Sequence, residues 1–155
     1  VKAGEPGEVT ITTLGVEAMP LLRYKTGDIC ISFEDPCSCG RSSLRLSPLL
    51  GRKKQMIKFK GTTLYPPALF DLLNEMEEVD DFVAEVYSNE VGLDEVLLHL
   101  QVANQTKESD GKIRAYLQAR LRVIPQVKYV SKQEMQQLQF PETGRKAVRF
   151  IDRRK

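Results

Sequence analysis

Tryptophan is absent from this 155-residue sequence, aromatic residues make up only 7%, histidine occurs once and cysteine three times. No stretch that reads as a strand carries the paired aromatics on which an RNA-recognition sheet stacks bases, which speaks against RNA binding. The three cysteines, Cys30, Cys37 and Cys39, are too few and too clustered for the disulfide framework of a small secreted domain, so a reducing cytoplasm is the expected home. No apolar run approaches the ~20 residues of a transmembrane helix, and the opening "VKAGEPGEV" lacks the basic and hydrophobic regions of a signal peptide. A soluble chain with no membrane partner is expected. The net charge of +2 is too small to imply a nucleic-acid surface by itself. An initiator methionine is missing too, which predicts a piece of a longer protein.

What is present is an ordinary globular composition, 41% hydrophobic and 28% charged, enough for one core or for one domain plus part of another. The second case is expected, because the patterning changes at Gly51. Before it, "EVTITTLG" alternates Val9 and Ile11 with threonines, and "DICISF" alternates Ile29, Ile31 and Phe33 with smaller residues, as half-buried strands do. After it, "MIKFKG" reads as a short strand. Pro66 and Pro67 then open a helix with Ala68, Leu69, Leu72, Leu73 and Met76 on one stripe. "DFVAEVYS" and "EVLLHLQV" read as strands joined by the turn "NEVGLD". A helix capped by Ser109 or Asp110 carries Ile113, Leu117 and Leu121 at i, i+4 and i+8, and "QVKYV" follows as a strand. The predicted class is α+β: a β-rich piece over residues 1–50, then a ferredoxin-like βαββαβ domain over 51–155.

The cations cluster in "GRKKQMIKFKG" and "GRKAVRFIDRRK", so an anionic ligand near both is one reading and a solvated basic face is the other. Asp28 follows a Thr-Gly turn. An ionised carboxylate offers two acceptor oxygens to a pair of ligand hydroxyls, such as a ribose diol; otherwise it bonds nearby backbone amides. Arg52 suits bidentate contact with phosphate or hydroxyl oxygens, or a surface ion pair. Lys146 sits in "FPETGRKAVRF", where a glycine-bearing loop can carry an ammonium toward growing negative charge. The thiols supply three metal ligands at most, Cys30, Cys37 and Cys39, and zinc wants four; His99 reads as a packed strand residue rather than the fourth, and free thiols with no metal are the default.

In order and spacing, "YKTGD", "GRKKQMIKFKG", the proline-opened helix and the C-terminal Gly-Arg-Lys loop resemble the adenylate-forming superfamily of acyl-CoA synthetases. Within it, "CSCGRSSLRLSPLLGR" and "KAVRFIDRR" are most similar to the phenylacetate-coenzyme A ligase branch. The resemblance implies the C-terminal part of an enzyme that adenylates an aromatic or other carboxylic acid with ATP and Mg²⁺, then passes the acyl group to coenzyme A, as in aromatic acid catabolism. It implies that Asp28 and Arg52 bind the ribose, that Lys54 is the hinge about which the C-terminal domain rotates, and that Lys146 is catalytic in adenylation. Gly61 is implied to face the thioesterification site.

Two departures accompany the resemblance: Arg145 stands directly before Lys146 where the family usually has glycine, and Gln55 replaces a typical acidic residue. The Ser/Thr/Gly-rich phosphate loop of the large N-terminal domain is absent, so that missing domain is an expected partner, it should hold the acid's pocket, and the chain alone is expected to be inactive. The alternative is a stand-alone ferredoxin-like module that binds RNA or a protein partner.

Overall fold

The computed structural model describes residues 1–141 and 146–154. The chain divides into two compact units, Val1–Met56 and Ile57–Lys155. Among the described residues no helix is long and apolar enough to cross a membrane.

The first unit is built around one long strand. β1 (Pro6–Ile11), β2 (Tyr24–Phe33), β3 (Arg45–Leu46) and β4 (Gly51–Arg52) form an antiparallel sheet in which β2 pairs with all the others. A single 3-10 turn, Lys53–Gln55, follows β4. The alternation in "DICISF" gives a thin core: Ile29 and Cys30 are buried, while Ile11 and Phe33 are exposed.

The second unit opens with a hairpin, β5 (Ile57–Phe59) and β6 (Thr62–Leu64), and continues through α1 (Pro66–Asn74), β7 (Asp81–Ser88), β8 (Asp94–Gln101), α2 (Lys107–Leu121), β9 (Gln126–Tyr129), α3 (Lys132–Gln139) and β10 (Phe150–Asp152). Its main sheet runs β10-β7-β8-β9. The β7–β8 pair is antiparallel, and the outer pairs, β10 with β7 and β9 with β8, are parallel. Successive side chains of a strand point to opposite faces. Phe82, Ala84, Val86, Val96, Leu98 and Leu100 therefore share one face, where they are buried with Leu69 and Leu73 of α1, Ile113, Leu117 and Leu121 of α2, and Ile57 and Phe59 of the hairpin. Glu85 and His99 lie at positions that point to the other face, and α3 packs on β7 and β8.

Several sequence expectations are corrected. The ferredoxin-like order puts "MIKFKG" in the main sheet, whereas Ile57–Phe59 pairs with Thr62–Leu64. Lys60 and Gly61 both have positive φ, 46° and 82°, so a two-residue turn sends the chain straight back. The fourth place in the main sheet goes to β10. The unit division falls after Met56 rather than at Gly51, because β4 pairs with β2 and Lys53 bonds Glu8. The N-cap of α2 is Thr106, whose side chain accepts from the Ser109 amide at 3.1 Å while Ser109 Oγ accepts from the Thr106 amide at 2.9 Å. Ser109 thus completes a capping box instead of being the cap. In α1, Ala68 is exposed, and the helix ends at Asn74.

Candidate functional site

Thr26, Gly27 and Asp28 lie where β1 and β2 fall out of register. Glu8 pairs with Ile29 and Thr10 with Lys25, so these three residues stand opposite Val9 alone. Such a bulge bends a strand and re-aims its side chains. Thr26 stabilises it by donating its hydroxyl to the Val9 carbonyl at 3.2 Å and accepting from the Asp28 amide at 3.1 Å. Gly27 supplies the φ of +80° that the irregular backbone needs.

The bulge ends on the residue that pairs with Arg52. Asp28 and Arg52 are direct cross-strand partners of β2 and β4, and Arg52 Nε lies 3.3 Å from Asp28 Oδ1. The Asp28 side chain is 23% exposed and that of Arg52 70%, so a well-sheltered carboxylate is met by a guanidinium that reaches solvent. The neighbouring Lys53 Nζ sits 2.8 Å from Glu8 Oε2, and this hydrogen bond holds the Glu8 carboxyl below its ordinary range.

A cavity of about 560 Å³ lies beside these pairs, lined by Glu8, Lys25, Thr26, Gly27, Arg52, Lys53 and Lys54. Four cations face it against one carboxylate, a lining suited to an anion. Asp28 is not part of the lining, but its partner Arg52 is. The fold thus brings Asp28, Arg52 and Lys54 together within the first unit. Lys54 was expected across a domain boundary from Asp28; it lies on the same side, in the 3-10 turn.

The other predicted residues belong to the second unit. Gly61 occupies the β5–β6 turn, and a Cβ there would meet nothing within 4 Å. Lys146 is exposed. Shortly after it, the Val148 amide donates to the Gln139 carbonyl at 2.8 Å, tying the chain that leads into β10 to the end of α3. Gly144 and Arg145, which precede the lysine, lie outside the described residues.

Among the described residues, no three or more His, Cys, Asp or Glu side chains converge as a metal site. Cys30 is buried in β2, whereas Cys37 and Cys39 sit together in the β2–β3 loop with their sulfurs 3.0 Å apart. In the second unit, His99 Nε2 lies 2.9 Å from Glu85 Oε2, and Arg153 bonds the other Glu85 oxygen. Burial raises the Glu85 carboxyl, but the bonds from His99 and Arg153 outweigh it and hold it below the usual range. This cluster was not foreseen. Its signal in the sequence is a glutamate and a histidine that interrupt the apolar runs of β7 and β8, both on the face away from the main core.

No family model matches the chain. The phenylacetate-coenzyme A ligase of Thermus thermophilus is 39% identical over 100 residues, 64% of this chain and 22% of that enzyme. The enzyme of the same name from Escherichia coli K12 is 30% identical over 106 residues, 68% of this chain and 23% of that enzyme. The chain therefore spans less than a quarter of the length of these relatives. Among solved structures, 2-hydroxyisobutyryl-CoA ligase in its postadenylation state superposes with a TM-score of 0.72 at 24% identity, over 98% of this chain and 33% of that one. The Bacillus subtilis o-succinylbenzoate CoA synthetase, in complex with its acyl-adenylate, follows with a TM-score of 0.58 at 15% identity, over 84% of this chain and 28% of that one. At these identities the two structures speak for the fold.

Proposed function

From a chain that is a relative of the phenylacetate-coenzyme A ligases, we propose the C-terminal part of an AMP-forming acid-thiol ligase. The intact enzyme joins an aromatic or other carboxylic acid to coenzyme A at the expense of ATP, in the cytoplasm. The observation that carries this reading is the Asp28–Arg52 cross-strand pair beside a cation-lined cavity. An ionised aspartate accepts from two hydroxyls, and with Oδ1 turned to Arg52 its second oxygen serves a ribose. Arg52 and the lysines of the cavity suit the charge of a nucleotide's phosphate.

The exposed apolar residues of the first unit support a part rather than a whole. Leu14 is 89% exposed, and Met19, Leu22, Leu44 and Leu49 are also open. Residues of this kind, in the loops of one small sheet, fit a surface that the remaining domain covers. Mg²⁺ accompanies the ATP, held by one or two carboxylates together with the phosphates. ATP supplies the adenylyl group that activates the carboxylate, with pyrophosphate as the leaving group. This chain's residues hold the ribose through Asp28 and Arg52, and Lys146 places an ammonium against the negative charge that builds up as the acyl-phosphate bond forms. The second unit rotates about the connection between Lys54 and Ile57, exchanging the Lys146 side for the Gly61 side between half-reactions.

The test uses the full-length ligase. Lys146→Ala is expected to slow adenylation by about 10² to 10³, the usual loss for one positioned donor, and to leave thioester formation from preformed acyl-adenylate nearly intact. Equal losses in both half-reactions would overturn the assigned role. This chain alone, given acid and MgATP, should release no pyrophosphate.

A further inference from the structure

The β2–β3 loop holds a feature that the ligase reading leaves unused. Cys37 and Cys39 flank Ser38 in a turn closed by the Gly40 amide, which donates to the Cys37 carbonyl at 2.9 Å. The turn curls the chain so that the Cys39 thiol points at the Cys37 sulfur, 3.0 Å away. Cys37 is half-buried and Cys39 exposed, so a small reagent can reach the pair, while Cys30 is buried in β2. The hydrogen bond from Cys39 holds the Cys37 thiol below its ordinary range and favours the thiolate, the form that attacks disulfides. Among the described residues no larger group of ligating side chains converges on the two sulfurs.

We propose that Cys37 and Cys39 are a dithiol–disulfide pair, oxidised within their own loop by a small-molecule disulfide. The Cys37 thiolate attacks one sulfur of the reagent, forming a mixed disulfide and expelling the first thiolate. The Cys39 thiol gives its proton to solvent and attacks the Cys37 sulfur, forming the loop disulfide and expelling the second thiolate. Two protein thiols are oxidised and one disulfide is reduced to two thiols, with no other oxidant. The sulfurs need to close by about 1 Å to reach the bonded ~2.05 Å, a movement confined to the loop. The register of β2 with β4, and with it the Asp28–Arg52 pair, stays in place.

The full chain is incubated with oxidised glutathione, blocked with an alkylating reagent and cut by a protease that cleaves after Glu34, which separates Cys30 from the pair. The fragment with Cys37 and Cys39 is expected to be lighter by two hydrogens and to carry neither glutathione nor alkyl groups. Cys39→Ser should instead retain glutathione on Cys37, because the resolving thiol is gone. In Cys37→Ser the first attack should slow by about 10-fold or more, because the favoured thiolate is lost. Both substitutions fall in an exposed loop, and circular dichroism checks that the fold is kept. A wild-type chain that keeps a glutathione adduct, that alkylates at both positions, or that links to a second chain would overturn the proposal.

Discussion

Tyr129 joins β9 to the first turns of α2 through one hydroxyl, which donates to Asp110 Oδ1 at 2.7 Å, while Arg114 Nε bonds the same carboxylate at 2.9 Å. Burial, and then the bond to Asp110, push the Tyr129 hydroxyl up to about 12. The bond from Tyr129, and then those from Arg114, hold the Asp110 carboxyl below its ordinary range. The raised tyrosine stabilises the fold fully below its unfolded value of about 10, and that stability is lost as pH climbs through the folded value. The lowered carboxyl works in the opposite sense: its contribution is present above the unfolded value of about 3.9 and is lost as pH falls through the folded one. Tyr129→Phe should cost ~1 kcal/mol, at the low end for a bond to a charged group because Asp110 is partly open to solvent. It should remove the Tyr129 share of the alkaline loss of stability between pH ~10 and ~12 and move the Asp110 carboxyl titration upward, both measurable by NMR and denaturant titration. Asp28 should behave differently. Its partner Arg52 is largely exposed, so Asp28→Ala should change the melting temperature little. In the full-length ligase the same change should weaken ATP binding roughly 10- to 100-fold, the worth of a charge-assisted hydrogen bond, as read by calorimetry.

At the scale of elements, the sequence disclosed those whose apolar residues repeat regularly and hid those held by local chemistry. Ile113, Leu117 and Leu121 marked α2, and the runs in β7 and β8 marked the centre of the sheet. Helix α3 was missed because "KQEMQQLQ" offers little more than Met135 to a sheet face that already carries Glu85 and His99. Its legible sign was the box of Ser131 and Glu134, whose carboxylate accepts from the Ser131 amide at 2.7 Å. The β5–β6 hairpin was misread for a related reason. "IKFKGTTL" has strand character on both sides of Gly61, and only the paired positive φ of Lys60 and Gly61 tells a hairpin from one longer strand. Of the candidate site, Asp28 and Arg52 were legible as motif residues, but the β2–β4 pairing that joins them depends on a register no local pattern carries. Ser131→Ala should cost ~1 kcal/mol by removing the cap of α3. Gly61→Ala should cost ~1–2 kcal/mol from its backbone conformation alone, since its Cβ would clash with nothing. Chemical denaturation of both variants measures these losses.

The two units are unequal in what they bury. Of the buried apolar side chains before Met56 only Ile29 and Cys30 can be named, whereas the second unit buries a continuous cluster from Ile57 to Leu121. Residues 57–155 expressed alone should therefore unfold cooperatively and give dispersed NMR spectra, whereas residues 1–56 alone should not. A dispersed spectrum from residues 1–56 would show that the small sheet needs no cover.

The place of β10 in the main sheet also governs how the molecule is made. β7 lies between β10 and β8, and its outer edge is satisfied only by late residues: the Ala84 amide donates to the Arg149 carbonyl and the Arg153 amide to the Val86 carbonyl. As the polypeptide leaves the ribosome, β8, α2 and β9 can assemble at once on the other side. That outer edge, on a strand rich in buried apolar residues, stays bare until Phe150 emerges. A bare edge of this kind is a template for pairing with another chain. Translation that stalls before Phe150 therefore releases a nascent chain prone to strand-to-strand association, and the interval before β10 arrives is when a chaperone has most to protect.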